Sequence, residues 1–137
     1  MYVRIYVVET MFSSHGNFNI KTDGNIIVIC LSGSFNDKSV IEFISEVKLA
    51  FKHLNGEQFG ILLNAIDAEG VTPEVYREID KYNVWLNHQN IVAKAIVSQS
   101  PTLHQTSELL IPSRTPQNMK RFEKVEPAYN WLKGLFK

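Results

Sequence analysis

The chain has 137 residues, 45% of them hydrophobic and 20% charged, with fourteen Lys and Arg against fourteen Asp and Glu. A single domain of this length buries roughly 68% of the surface its unfolded chain exposes, enough for a real core, and the apolar content excludes a disordered chain. Balanced charge without a Lys/Arg stripe excludes the electrostatic footprint of a nucleic-acid binder, while the lone Cys30 excludes an intrachain disulfide or a cysteine zinc cluster and points to a reducing cytoplasm.

Tyr2 to Phe12 is the only candidate targeting segment, but Arg4 and Glu9 interrupt it and it is far too short to span a bilayer; Tyr2 to Val8, rich in aromatic and β-branched residues, reads as a strand. Residues 1–16 are therefore expected to be an N-terminal extension or extra strand, with Met11 a second candidate start, and residues 17–137 the main domain. Phe18 to Thr22 alternates, Asp23-Gly24 marks a turn, and Ile26 to Leu31 is continuously apolar. This is the pattern of a hairpin whose second strand is covered on both faces.

Beyond Ser32 to Phe35, Asn36-Asp37 can cap a helix, with Ser39 and Glu42 an alternative capping box. Val40, Ile44, Val47, Phe51 and Leu54 recur at helical spacing, and Asn55-Gly56 stops the run. Phe59 to Leu63 is the next buried strand, with Asn64 to Val71 expected as the loop beyond it. Thr72-Pro73-Glu74 starts a second helix, with Thr72 as cap and Val75, Ile79, Tyr82 and Leu86 as its apolar face. Ile91 to Val97 is a third core strand. Ser100-Pro101 opens a helix to about Leu110, Pro112 and Pro116 bracket an irregular loop holding Arg114, and Met119 to Phe122 is a brief strand. A last helix carries Val125, Ala128, Leu132 and Leu135 and tolerates Pro127 in its first turn. The order predicts an α/β fold: a mixed, mainly parallel sheet of four to six strands with about four helices.

Leu31-x-Gly33-x-Phe35-Asn36, between a buried strand and an amphipathic helix, resembles the start of a STAS domain. Arg121-Phe122 followed by Ala128-x-x-Trp131-Leu132 resembles the C-terminal strand and helix of bacterial SpoIIAA-like proteins. The resemblance covers about residues 17 to 135 and implies a SpoIIAA-like fold, also compared with the CRAL-TRIO lipid-binding fold. Anti-sigma factor antagonists of this kind carry a phosphorylatable serine after the central strand. Here the corresponding stretch reads Ile66-Asp67-Ala68-Glu69-Gly70-Val71-Thr72, and the serine is absent.

Asp67 and Glu69 have the makings of an acid/base pair, against the plainer reading of a solvated loop. Thr72 could accept a phosphate at a helix N-terminus, but capping already accounts for it. His15, His53, His88 and His104 are scattered without metal-ligand spacing, and the strand setting of Cys30 predicts a buried thiol. No G-x-S-x-G elbow, phosphate-binding loop or G-x-G-x-x-G run occurs, so no nucleotide cofactor is expected. Tyr76, Tyr82, Trp85 and Trp131 read first as core and second as walls of an apolar pocket. In a βα-wound sheet the loops after the strands gather at one edge, which nominates Asn36, Asp67, Glu69, Thr72, Tyr76 and Ser98 as a binding site. With two carboxylates there, a neutral or apolar ligand, or a basic partner surface, fits better than a bare anion. The expected role is a non-enzymatic regulatory or binding domain, homodimeric, acting through a protein partner or a small apolar, lipid-like ligand. The alternative is a small enzyme with its site at the same edge.

Overall fold

The computed structural model describes residues 7–11, 16–69 and 71–136. Along the chain run β1 (Val7–Met11), β2 (Asn17–Asp23), β3 (Ile26–Gly33), α1 (Asp37–Lys52), β4 (Phe59–Ala68), α2 (Pro73–Leu86), β5 (Ile91–Val97), α3 (Pro101–Leu110), a 3-10 turn (Pro112–Arg114), β6 (Met119–Phe122) and α4 (Val125–Gly134). The six strands form one sheet in chain order. The first three are antiparallel neighbours, and β3 to β6 are parallel. The β2/β3 hairpin turns at Gly24, whose φ of 59° suits the left-handed turn that the Asp-Gly pair announces.

Successive strand residues point to opposite faces, so an apolar run such as Ile26 to Ile29 feeds two layers at once. Ile27, Ile29 and Ile61 pack under α1 and α2 with Val40, Val47, Val75 and Leu86. Ile26, Val28, Leu62, Ala95 and Val97 pack under α4 with Ala128 and Leu132. The second layer is thin because Gly60 lets α4 come close: a Cβ there would lie 3.1 Å from Leu132 and 3.3 Å from Phe136. Tyr129 on α4 also donates a hydrogen bond to Asp23 in the hairpin.

Several sequence expectations need correction. Asn64 to Val71 is not all loop: β4 continues to Ala68, because Asp67 and Ala68 pair with Ser32 and Gly33 past a bulge. Backbone pairing extends that strand where its side chains have turned polar, so hydropathy alone stops short. Of the two caps offered for α1, Asn36 is the one formed, and its capping box closes with Ser39 in place of Glu42: Asn36 Oδ1 accepts from Ser39 N at 2.9 Å, and Ser39 Oγ accepts from Asn36 N at 3.0 Å. Thr72 occupies the cap position of α2 but makes no side-chain capping bond. Val125 and Leu135 are 38% and 41% exposed; α4 buries Ala128 and Leu132 instead. Cys30 is half-buried, bordering a shallow hollow with Asn17, Asn19, Asn64 and Asp67, since α4 packs chiefly over β4, β5 and β6. The N-terminal strand is seen as Val7–Met11, paired with β2; residues 2–6 and His15 lie outside the described residues.

Candidate functional site

At the carboxyl ends of the parallel strands the sheet and its helices part to leave a cleft with an empty volume of ≈ 690 Å³, open mouth included. Its floor is the sheet: Leu31 from β3, Leu63 and Ala65 from β4, Ile96 from β5. Tyr76 and Ile79 of α2 form one wall, and His104 and Ser107 of α3 with Ile111 and Arg114 form the other. The walls are mainly apolar, which follows from the strand alternation and from the Val75, Ile79, Tyr82 stripe of α2.

Of the residues nominated from sequence, the structure gathers Glu69, Tyr76 and Ser98 around this cleft. Glu69 accepts a hydrogen bond from Ser34 Oγ at 3.0 Å. Ser98 is buried, and its Oγ accepts from Ser100 N at 3.2 Å and donates to Ser100 O at 3.3 Å. Asn36 is used up in the α1 cap, and Thr72 is exposed at the start of α2. Asp67 borders the hollow beside Cys30 rather than the cleft, so it does not share a chamber with Glu69. The acid/base pairing of these two carboxylates is thus not formed. Trp131 packs on Phe122 under α4 at 5.7 Å, while Trp85 stacks with Phe51 at 5.1 Å beneath α1 and α2. Of the four aromatic residues singled out in sequence, Tyr76 is the one at the cleft, although Tyr82 walls the cavity behind it.

Behind the cleft, and sharing Leu31, Leu63, Ile79 and Arg114 with it, is a narrower cavity reaching Asn83 and Lys94. Lys94 is 3% exposed and donates to Asn83 Oδ1 at 2.8 Å. That oxygen also accepts from Gln117 Nε2 at 3.0 Å, and Asn83 Nδ2 donates to Ile79 O at 2.9 Å. Burial, reinforced by repulsion from Arg114, holds the Lys94 ammonium well below the usual lysine range. Arg114 is 9% exposed, and its Nε is buried without a hydrogen-bond partner. Burial lowers its pKa to about 10, with Tyr82, Tyr76 and Glu108 acting in the opposite direction, so it stays charged at neutral pH. Burial also raises the Tyr82 hydroxyl, which stays neutral. The turn that carries Arg114 is pinned to α2: Asp80 Oδ1 accepts from Ser113 N at 3.0 Å, and Asn87 Nδ2 donates to Ser113 O at 2.8 Å.

Sequence reasoning missed this polar cluster. Its visible signal was Lys94 in the middle of an otherwise apolar strand, where a charged residue has to be buried with the rest. Nothing local marked Arg114. Among the described residues no group of three or more His, Cys, Asp and Glu is placed to hold a metal ion. No helix among them is long and apolar enough to cross a membrane.

No family model matches the chain, and no curated protein is similar to it. A solved structure is similar: the crystal structure of an uncharacterized protein from the DUF3478 family, with a SpoIIAA-like fold, from Shewanella loihica PV-4. The two superpose with a TM-score of 0.59 over 96% of each chain at 16% sequence identity. That likeness spans nearly the whole chain, and with the strand order and helix layers described above it establishes the architecture: this chain has a SpoIIAA-like fold.

Proposed function

We propose that the chain is a non-enzymatic binding domain, acting in a reducing cytoplasm as a bacterial SpoIIAA-like protein, and that the cleft between the strand ends and α2/α3 receives a small ligand with an apolar body. The observation that carries this reading is the composition of the cleft: an apolar floor of Leu31, Leu63 and Ile96 faced by Ile79 and Ile111, with few polar groups. Burying ~200 Å² of apolar ligand surface there is worth about 5 kcal/mol before the cost of association. A small enzyme at this edge is the second reading, favoured by Glu69 and His104 both lining the cleft, although His104 is paired with Glu108 and Asp67 borders a separate hollow.

Titration with 1-octanol, followed by amide NMR shifts of the whole chain, tests the reading. Shifts at Leu63, Ala65, Ile96 and Ser98 are expected; shifts confined to the hollow beside Cys30, or none, remove the cleft as the site. The proposal includes a homodimer formed through the edge of the sheet or an apolar face, on the ground that among the described residues β1 is the end strand of the sheet. Light scattering on protein lacking residues 1–10 should then give the mass of one chain where the intact protein gives two. Equal masses would take the N-terminal strand out of the interface.

A further inference from the structure

The chain folds two basic side chains into its interior beside the cleft, and among the described residues neither makes an ion pair. Glu69 and His104 line the cleft with Arg114, and Gln117 donates to the same Asn83 oxygen as Lys94. From α2 come the hydroxyls of Tyr76 and Tyr82, the Asn83 amide, and Asp80, whose carboxylate accepts from Ser113 N. From α3 comes Glu108, 53% exposed and paired with His104 at 3.1 Å. Lys94 has Asn83 as a partner, and burial and the nearby Arg114 disfavour its charged form. Arg114 remains charged, and its Nε–H is unpaired. Leaving a buried charged donor unmatched costs free energy.

We propose that the cleft binds a monocarboxylate with an apolar body, its carboxylate taken by the Arg114 guanidinium and its body laid along Leu31, Leu63, Ile79 and Ile96. This deepens the cleft-binding reading and rests on it. A guanidinium matches a carboxylate in shape as well as charge, and a charge-assisted bond in a water-poor site is stronger than a neutral one. A buried guanidinium whose Nε–H is unpaired calls for a negative charge that Glu108, half-exposed and paired with His104, meets only in part, and Glu69 at the rim disfavours a dianion. The expectation that two carboxylates would repel any anion changes because Asp67 lies outside the cleft and Arg114 lies within it.

The test compares octanoate, 1-octanol and octyl phosphate on the full chain by amide NMR, following the Arg114 Nε–H resonance. Octanoate is expected to bind at least about tenfold tighter than octanol and to move the Arg114 Nε–H signal, which octanol leaves in place. Arg114→Met should abolish that preference, so that octanoate binds no tighter than octanol. If that variant does not fold, the wild-type comparison and the Nε–H signal decide. Equal binding of octanoate and octanol at the cleft overturns the carboxylate and leaves the cleft reading standing. No cleft shifts with any of the three overturns both, and octyl phosphate binding about tenfold tighter than octanoate overturns the monocarboxylate in favour of a phosphate.

Discussion

The two faces of strand β5 have opposite characters. Toward α4 it presents Ala95 and Val97, fully buried against Leu62, Ala128 and Leu132 in a layer thin enough to require Gly60. Toward α2 and α3 it presents Lys94 and Ile96, facing an interior that holds a cavity, a cleft and two basic side chains. One strand therefore serves a close-packed layer and a hollow, polar one. The comparison teaches that stability and binding are divided between the faces of the sheet: close packing under α4 can offset what unfilled space and buried charge cost under α2 and α3.

The sharpest way to break this comparison is to truncate one residue on each face. Leu62→Ala, in the closed layer, should cost about 2 to 5 kcal/mol in a urea melt, because transfer and cavity penalties add. Ile96→Ala, which borders a space that already exists, should cost only the transfer part, about 2 kcal/mol. Equal losses at the upper end would show that the cleft wall is as tightly packed as the α4 layer. A measured loss below about 1 kcal/mol for Leu62→Ala would remove β4 from the centre of the sheet.

Charge gives the next test. Folded Lys94 binds its proton more weakly than the same residue in the unfolded chain, so the folded state binds fewer protons across the window between the two pKa values. Its contribution to stability therefore grows as pH rises toward the ordinary lysine range and shrinks as pH falls, by up to about 1.4 kcal/mol per pH unit. Lys94→Met should flatten that slope below the ordinary lysine range and be neutral or stabilising at neutral pH. An unchanged slope in guanidinium melts at several pH values would show that another group titrates there.

The smallest effects separate the two helix starts. Asn36→Ala should cost about 1 kcal/mol because it dismantles a reciprocal cap. Thr72→Ala should cost under about 0.5 kcal/mol, since its side chain makes no capping bond and Pro73 already sets the backbone for α2. Equal losses in thermal melts would mean that Thr72 caps in solution.

What was readable from the chain was whatever repeats at short range. The apolar runs of β3, β4 and β5, the heptad-like face of α1 and the Thr-Pro-Glu start of α2 place these elements to within a few residues, and the resemblance orders them into the right fold. Asn36 as a cap was readable for the same reason. The lining of the cleft was legible only in part: Glu69 and Ser98 follow parallel strands and Tyr76 lies on the helix beside them, whereas Asp67 is drawn into β4 past a bulge and Arg114 carried no local mark.

The division has a physical cause. Periodicity, turn residues and caps act over one to four residues, so the sequence by itself determined the alternation of strands and helices and therefore the α/β class. Which face of the sheet each helix covers, how far β4 extends past its apolar run, and where Arg114 meets Lys94 depend on contacts between residues far apart in the chain. A side chain's burial and charge state are properties of that assembled surrounding. Only the tertiary structure could decide that two basic residues from separate elements would share one apolar interior at the mouth of the sheet.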